Sequence, residues 1–218
     1  MGYFRMRRVI ELAALDRPWV GEMFMRKRFA PPIETNAEEW NDHYAGSTYD
    51  RLFKSDQRHH HRLLASLVNE HRPHAKVLEI GCGEGAFYAS LKAFAPAGYV
   101  GVDFSDTGVQ AAHRRFPSDL PGHPTFAVGD GRTYEPEEKF DAIVFPECIE
   151  YLGEPVELLR RYSASLHPDG VFGVSMWLNT KPLRIWRKLQ ASCEILDEAV
   201  VAAPWGGAWL VTVCKPPK

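Results

Sequence analysis

The stretch Val77-Leu-Glu-Ile-Gly-Cys-Gly-Glu-Gly-Ala-Phe87 joins a short apolar strand to three alternating glycines and then to a helical run. Val77, Leu78 and Ile80 have the apolar, partly β-branched character of a buried parallel strand. Gly81, Gly83 and Gly85 permit backbone angles, and a close ligand approach, that a Cβ forbids. A helix opening at Ala86 would leave unpaired backbone N–H groups facing a polar or anionic ligand. Glu79 stands two residues before the first glycine, at the carboxyl end of the strand, where open α/β sheets bind their ligands. Gly81-x-Gly83-x-x-Ala86 also fits the relaxed dinucleotide fingerprint, so the turn alone leaves the cofactor open.

Outward from this turn the pattern alternates. Strands are predicted at 76–80, 98–103, 125–128, 140–145 and 171–177, and helices at 86–94, 106–116 and 155–166. Steady alternation of this kind predicts an α/β, doubly wound and mostly parallel sheet. A modest helix at 183–190 follows, then two β-rich runs at 193–202 and 209–214. The short connection Ala203 to Ala208 predicts a hairpin, with the last strand antiparallel to its neighbour. Upstream, Pro31 and Pro32 break a first helical segment. A second begins near Asn36 and carries Trp40, Tyr44, Tyr49, Leu52 and Phe53. A third spans 57–70, with Leu63, Leu64, Leu67 and Val68 at helical spacing. The expected organisation is an N-terminal helical cap over residues 1–72 and a ligand-binding core over 73–218.

A chain of 218 residues with 45% apolar residues suits one large α/β domain, and a net charge of −2 with scattered signs argues against nucleic acid as a partner. Cys82, Cys148, Cys193 and Cys214 lie far apart, without the paired spacing of a zinc site or a disulfide framework. A reducing, cytoplasmic setting is expected. Val9 to Leu15 is too short and too interrupted by charge for a signal peptide or a membrane span. The basic excess within Met1 to Phe29, including Arg26, Lys27 and Arg28, fits either a membrane-surface or partner-binding helix or, the favoured reading, the solvated face of a helix packed on the domain.

Four segments resemble the class I methyltransferases that use S-adenosylmethionine, over roughly Lys76 to Cys214. Val77 to Gly85 is similar to the family's first motif, whose glycine loop wraps the methionine and ribose portions of the cofactor. Gly101-Val-Asp-Phe-Ser105 resembles the second, in which Asp103 would accept hydrogen bonds from both ribose hydroxyls. Gly129-Asp-Gly131 resembles the third, in which Asp130 would meet the adenine amino group. Phe140 to Leu152 resembles the fourth strand and the loop where acceptor and cofactor meet. The resemblance implies a seven-stranded sheet in a three-layer α/β/α sandwich with an antiparallel C-terminal strand, and S-adenosylmethionine as cofactor. It assigns Glu79, Gly81, Cys82, Gly83, Gly85, Asp103, Phe104, Asp130, Gly131 and Phe145 to cofactor binding, and Tyr44 joins them from the upstream aromatic segment expected to close over the cofactor. The ribose carboxylate has a physical basis beyond the resemblance, since one carboxylate accepts from both hydroxyls of any ribose diol. Phe104 is a candidate to stack on adenine.

Methyl transfer is an in-line displacement, so alignment matters most and a base is optional. Glu147-Cys-Ile-Glu150-Tyr151-Leu152 resembles the Glu-x-x-Glu-His stretch of the ubiquinone-pathway O-methyltransferases, which can bind a divalent metal. Tyr151 stands at the histidine position, and no metal ligand is assigned here. Glu147 is the first candidate to position or deprotonate the acceptor, followed by His43, beside Tyr44, and Tyr151. His59, His60 and His61 are consecutive on a helix and are expected to point in different directions. Trp40, Tyr44, Tyr49 and Phe53 are candidate walls of a pocket for a small-molecule acceptor. Of the alternatives, a protein or nucleic-acid methyltransferase is disfavoured by Phe145-Pro-Glu-Cys148, where an Asn/Asp-Pro-Pro-Tyr motif would stand. A noncatalytic cofactor-binding scaffold would be expected to carry a degenerate glycine loop.

Overall fold

The computed structural model describes residues 36–45, 48–178 and 180–218. The basic segment before Phe29, with Trp19, lies outside the described residues. Seven strands form one sheet in the order β3-β2-β1-β4-β5-β7-β6. They are β1 (Lys76–Ile80), β2 (Gly98–Asp103), β3 (Thr125–Val128), β4 (Phe140–Pro146), β5 (Leu166–Trp177), β6 (Ile195–Ala202) and β7 (Ala208–Cys214). Strands β1 to β5 pair in parallel, and β7 inserts antiparallel between β5 and β6. The hairpin over 203–207 makes this possible, with Ala203 N–H donating to the Gly207 carbonyl at 2.8 Å. β5 starts earlier than its apolar run. Leu166 already pairs with Phe140, and the register then jumps to Val171 opposite Ala142, so His167 to Gly170 bulge from the strand rather than form a separate turn.

Side-chain alternation sorts the core into two layers. On one face Leu78, Ile80, Ile143, Phe145 and Phe172 pack with Leu159 and Tyr162 of α6 (Pro155–Ser163) and Trp186 and Leu189 of α7 (Thr180–Ser192). On the other, Val77, Ala142, Val144 and Val211 pack with α3 (Arg58–His71), α4 (Ala86–Leu91) and α5 (Asp106–Arg115). Two further helices, α1 (Ala37–Ala45) and α2 (Arg51–Lys54), precede these. α3 is fully part of the inner layer, with Leu64, Ala65 and Val68 completely buried. α1 buries no residue completely. It is docked by Asn41, whose Oδ1 accepts from Ser105 Oγ at 2.6 Å and from Thr107 N–H at 3.3 Å. Among the described residues no helix is long and apolar enough to cross a membrane, and the four cysteines are unpaired.

Candidate active site

A cavity of about 760 Å³ opens at the carboxyl ends of β1, β2 and β4, where α1, α2 and the glycine turn meet. Gly81, Gly83 and Gly85 all have positive φ, at 75°, 47° and 82°. A Cβ at Gly81 would lie 2.7 Å from that of Cys148, and one at Gly83 would lie 2.4 Å from Tyr44 Oη. The turn is therefore a cradle that side chains would fill, and Tyr44 of α1 is seated over it. Gly85 caps α4 in the left-handed conformation. A Cβ there would lie 2.8 Å from the Phe116 ring, and Gly85 does not line the cavity.

Asp103 closes β2 and is 5% exposed. Its Oδ2 accepts from Gly83 N–H and its Oδ1 from Ser105 N–H, both at 2.8 Å. Ser105 in turn caps α5 through Gly108 N–H, at 3.1 Å. Burial pushes the Asp103 carboxyl up to about 6, against the pull of those two backbone donors. Glu79 is also buried, and its carboxylate accepts from the Tyr99 hydroxyl. Desolvation raises it well above the carboxylate range. Asp130 lines the cavity but is clamped by Arg132, whose Nε and Nη2 reach its oxygens at 2.9 and 2.6 Å. That partner holds Asp130 below its ordinary value. Cys82, Phe104 and Gly131 also line the cavity.

Two further assigned residues lie elsewhere. Phe145 is fully buried on the α6 face, 5.5 Å from the Tyr162 ring, because strand alternation turns it away from the cavity. His43 is exposed on α1 and its ring packs beside Trp40 at 5.7 Å, outside the cavity lining. Tyr151 sits at the mouth, 41% exposed, with its ring edge-on to Trp40 at 5.9 Å. Burial and then Glu150 raise its hydroxyl, which keeps it protonated at neutral pH. Trp40, Tyr44, Tyr49 and Phe53 all line the cavity.

Glu147 also lines the cavity and holds φ at +56°, a left-handed conformation costing about 1–2 kcal/mol outside glycine. Contacts from three elements fix it there. Its N–H donates to Ser175 O on β5 at 2.8 Å, and its Oε1 accepts from Trp209 Nε1 on β7 at 2.8 Å. Its Oε2 lies 3.1 Å from His60 Nε2 on α3. The histidine run thus corrects the expectation of divergent side chains. His60 and His61 are both buried, with ring centroids 4.1 Å apart. His60 stacks on Trp209 at 4.9 Å, while His61 lines the cavity. Burial, then His60, lowers His61 well below the usual imidazole value, so it is neutral. The signal lay in the helical stripe: Leu64, Ala65 and Val68 continue upward at i−4 to His60 and His61.

A glycine turn after β1, a buried carboxylate after β2 and β7 inserted antiparallel beside β5 define the class I methyltransferase fold. A family model described as a methyltransferase domain matches residues 48–201, and the chain belongs to that family. It is 34% identical to nodulation protein S of Rhizobium tropici over 102 residues, which is 47% of this chain and 41% of the relative. The chain spans less than half the length of the first curated relatives it matches. N-methyltransferase NodS of Bradyrhizobium japonicum, solved with S-adenosyl-L-homocysteine, superposes with a TM-score of 0.70 at 18% identity, over 84% of this chain and 98% of that one. The 1,6-didemethyltoxoflavin-N1-methyltransferase of Burkholderia thailandensis superposes with a TM-score of 0.62 at 20% identity, over 87% of this chain and 94% of that one.

Proposed function

We propose that the chain is an S-adenosylmethionine-dependent methyltransferase acting on a small-molecule acceptor. The observation that carries this reading is a single cavity lined by both a buried, ribose-suited carboxylate, Asp103, and an anchored polar group, Glu147. The residues fit the cofactor. The glycine cradle has no room for side chains, and Asp103 keeps lone pairs beyond its two backbone bonds. When bound, S-adenosylmethionine supplies a methyl made electrophilic by the sulfonium charge.

In this reading Glu79, Gly81, Cys82 and Gly83 form the floor, with Asp103 accepting ribose hydroxyls. Phe104, Asp130 and Gly131 border the base. Gly85, Phe145 and His43 leave the proposed set, since none lines the cavity. Tyr44, Trp40 and Tyr49 exclude water over the reacting centre, and Glu147 holds or deprotonates the acceptor's polar group. The cover is assigned to residues 36–54 within the segment 1–72, whereas α3 belongs to the core layer. The names of the structural neighbours, an N-methyltransferase and a 1,6-didemethyltoxoflavin-N1-methyltransferase among them, support a small organic acceptor. Four unpaired cysteines are consistent with a reducing, cytoplasmic setting. The test is a panel of hydroxyl- and amine-bearing small molecules, scored by release of S-adenosylhomocysteine. Turnover with at least one acceptor, lost in Gly83→Arg, is expected. Absence of turnover across the panel, with protein and oligonucleotide acceptors methylated instead, would overturn the small-molecule reading.

A further inference from the structure

Away from the residues assigned to the methyl donor, α3 and the loop after β4 bring His60, His61 and Glu147 together, with one ligand atom from each within 4.8 Å of the others. This is the one such grouping of three histidine, cysteine or acidic side chains among the described residues. We propose that His60, His61 and Glu147 form a binding site for a first-row transition-metal dication of the Zn²⁺ class, open toward the cavity.

The unpartnered atoms point to a ligand. Neither ring nitrogen of His61 has a hydrogen-bond partner, although the residue is only 4% exposed and its side chain borders the cavity. His60 Nε2 and Glu147 Oε2 are 3.1 Å apart, yet they are not aligned for a hydrogen bond. A cation bound between that imidazole nitrogen and the carboxylate oxygen would satisfy both. Native interiors rarely leave such atoms unpaired.

The atoms behind the three ligands are arranged to orient them. His60 Nδ1 lies 3.3 Å from Ser175 Oγ. With that nitrogen protonated and donating, Nε2 presents its lone pair toward Glu147. The second oxygen of Glu147 is held by Trp209 Nε1 at 2.8 Å, and the same indole stacks on His60 with 13° between the planes. Outer partners of this kind fix the tautomer of a ligating imidazole and the orientation of a ligating carboxylate. Two imidazole nitrogens and one carboxylate oxygen select Zn²⁺, Ni²⁺ or Fe²⁺ over Mg²⁺ and Ca²⁺, which take mainly oxygen. Three protein ligands leave a coordination position for a water or for an acceptor heteroatom. Only that last step rests on the methyl-transfer reading.

The experiment is Co²⁺ titration of chelator-stripped full chain, followed by visible absorption, with S-adenosylhomocysteine calorimetry on the same samples. One Co²⁺ per chain is expected, with the d–d bands of a histidine-ligated ion, displaced by Zn²⁺. His61→Gln should weaken binding by about tenfold or more, and Ser175→Ala by roughly 10–100-fold through the lost outer partner. His59→Ala, on an exposed neighbour, should leave it unchanged. Retained S-adenosylhomocysteine affinity in the variants identifies folded protein. No stoichiometric cobalt site, or binding as tight in His61→Gln and Ser175→Ala as in the wild type, overturns the proposal. A cobalt site that follows these variants in a chain that does not bind S-adenosylhomocysteine supports the metal site and overturns the methyl-donor reading alone.

Discussion

Asp103 gives the cavity a pH dependence that can be worked from its environment. Its carboxyl is pushed from 3.8 to about 6 by burial, so the folded, ligand-free chain keeps its proton to higher pH than the unfolded chain. The stability that protonation contributes is fully present below the unfolded value of 3.8 and is lost as pH rises through about 6. A shift of roughly two units corresponds to about 3 kcal/mol across that window. Ribose recognition has the opposite sign, because only the ionised carboxylate accepts from both hydroxyls. S-adenosylhomocysteine affinity should be level above about pH 7 and fall about tenfold per unit below the Asp103 value. The assay is calorimetric titration between about pH 5 and pH 8 in wild type and Asp103→Asn. Glu79, likewise raised by burial, and His61, lowered by burial, stay in both proteins, so the difference in slope belongs to Asp103. A wild-type affinity that does not change over this range, or an equal slope in Asp103→Asn, would refute the reasoning.

Three other perturbations test separate parts of the account. Gly83→Ala places a Cβ 2.4 Å from Tyr44 Oη at φ +47°, so denaturant unfolding should report a loss of about 1–2 kcal/mol. S-adenosylhomocysteine calorimetry should report at least about tenfold weaker binding as Tyr44 is displaced. Glu147→Gln keeps an oxygen for Trp209 Nε1 but removes the charge at the acceptor end. With an acceptor in hand, steady-state kinetics should give turnover lower by about 10²–10⁴-fold and S-adenosylhomocysteine affinity within about threefold of wild type. Leu64→Ala removes a completely buried side chain where α3 meets the sheet. Denaturant unfolding should register a cost of about 2–5 kcal/mol.

Much of the fold was legible because strand and helix differ in period, and because glycine and proline punctuate the chain between them. Strands β1 to β4 fell within a residue of their predicted limits, and the hairpin placed β7 antiparallel. β5 ran longer than its apolar stretch because Leu166 pairs with Phe140 across a bulge that hydrophobicity does not record. The cavity walls Trp40, Tyr44, Tyr49 and Phe53 were readable from aromatic crowding in a short segment. Phe145 falls outside the cavity lining for the opposite reason. A residue at the end of a strand near a ligand loop is ambiguous until the facing of the strand is known, and alternation sends Phe145 to α6. The histidines were harder still. Adjacent positions diverge around a helix, but His60 and His61 straddle the centre of a buried stripe. Their meeting with Glu147, Ser175 and Trp209 depends on how α3 lies across β5 and β7.

If the glycine cradle and Asp103 hold the methyl donor, parallel calorimetric titrations with S-adenosylhomocysteine and NAD will tell the two ligands apart. Micromolar binding of S-adenosylhomocysteine at one per chain, with no heat from NAD, is the predicted result. NAD binding at that strength with S-adenosylhomocysteine silent would contradict it.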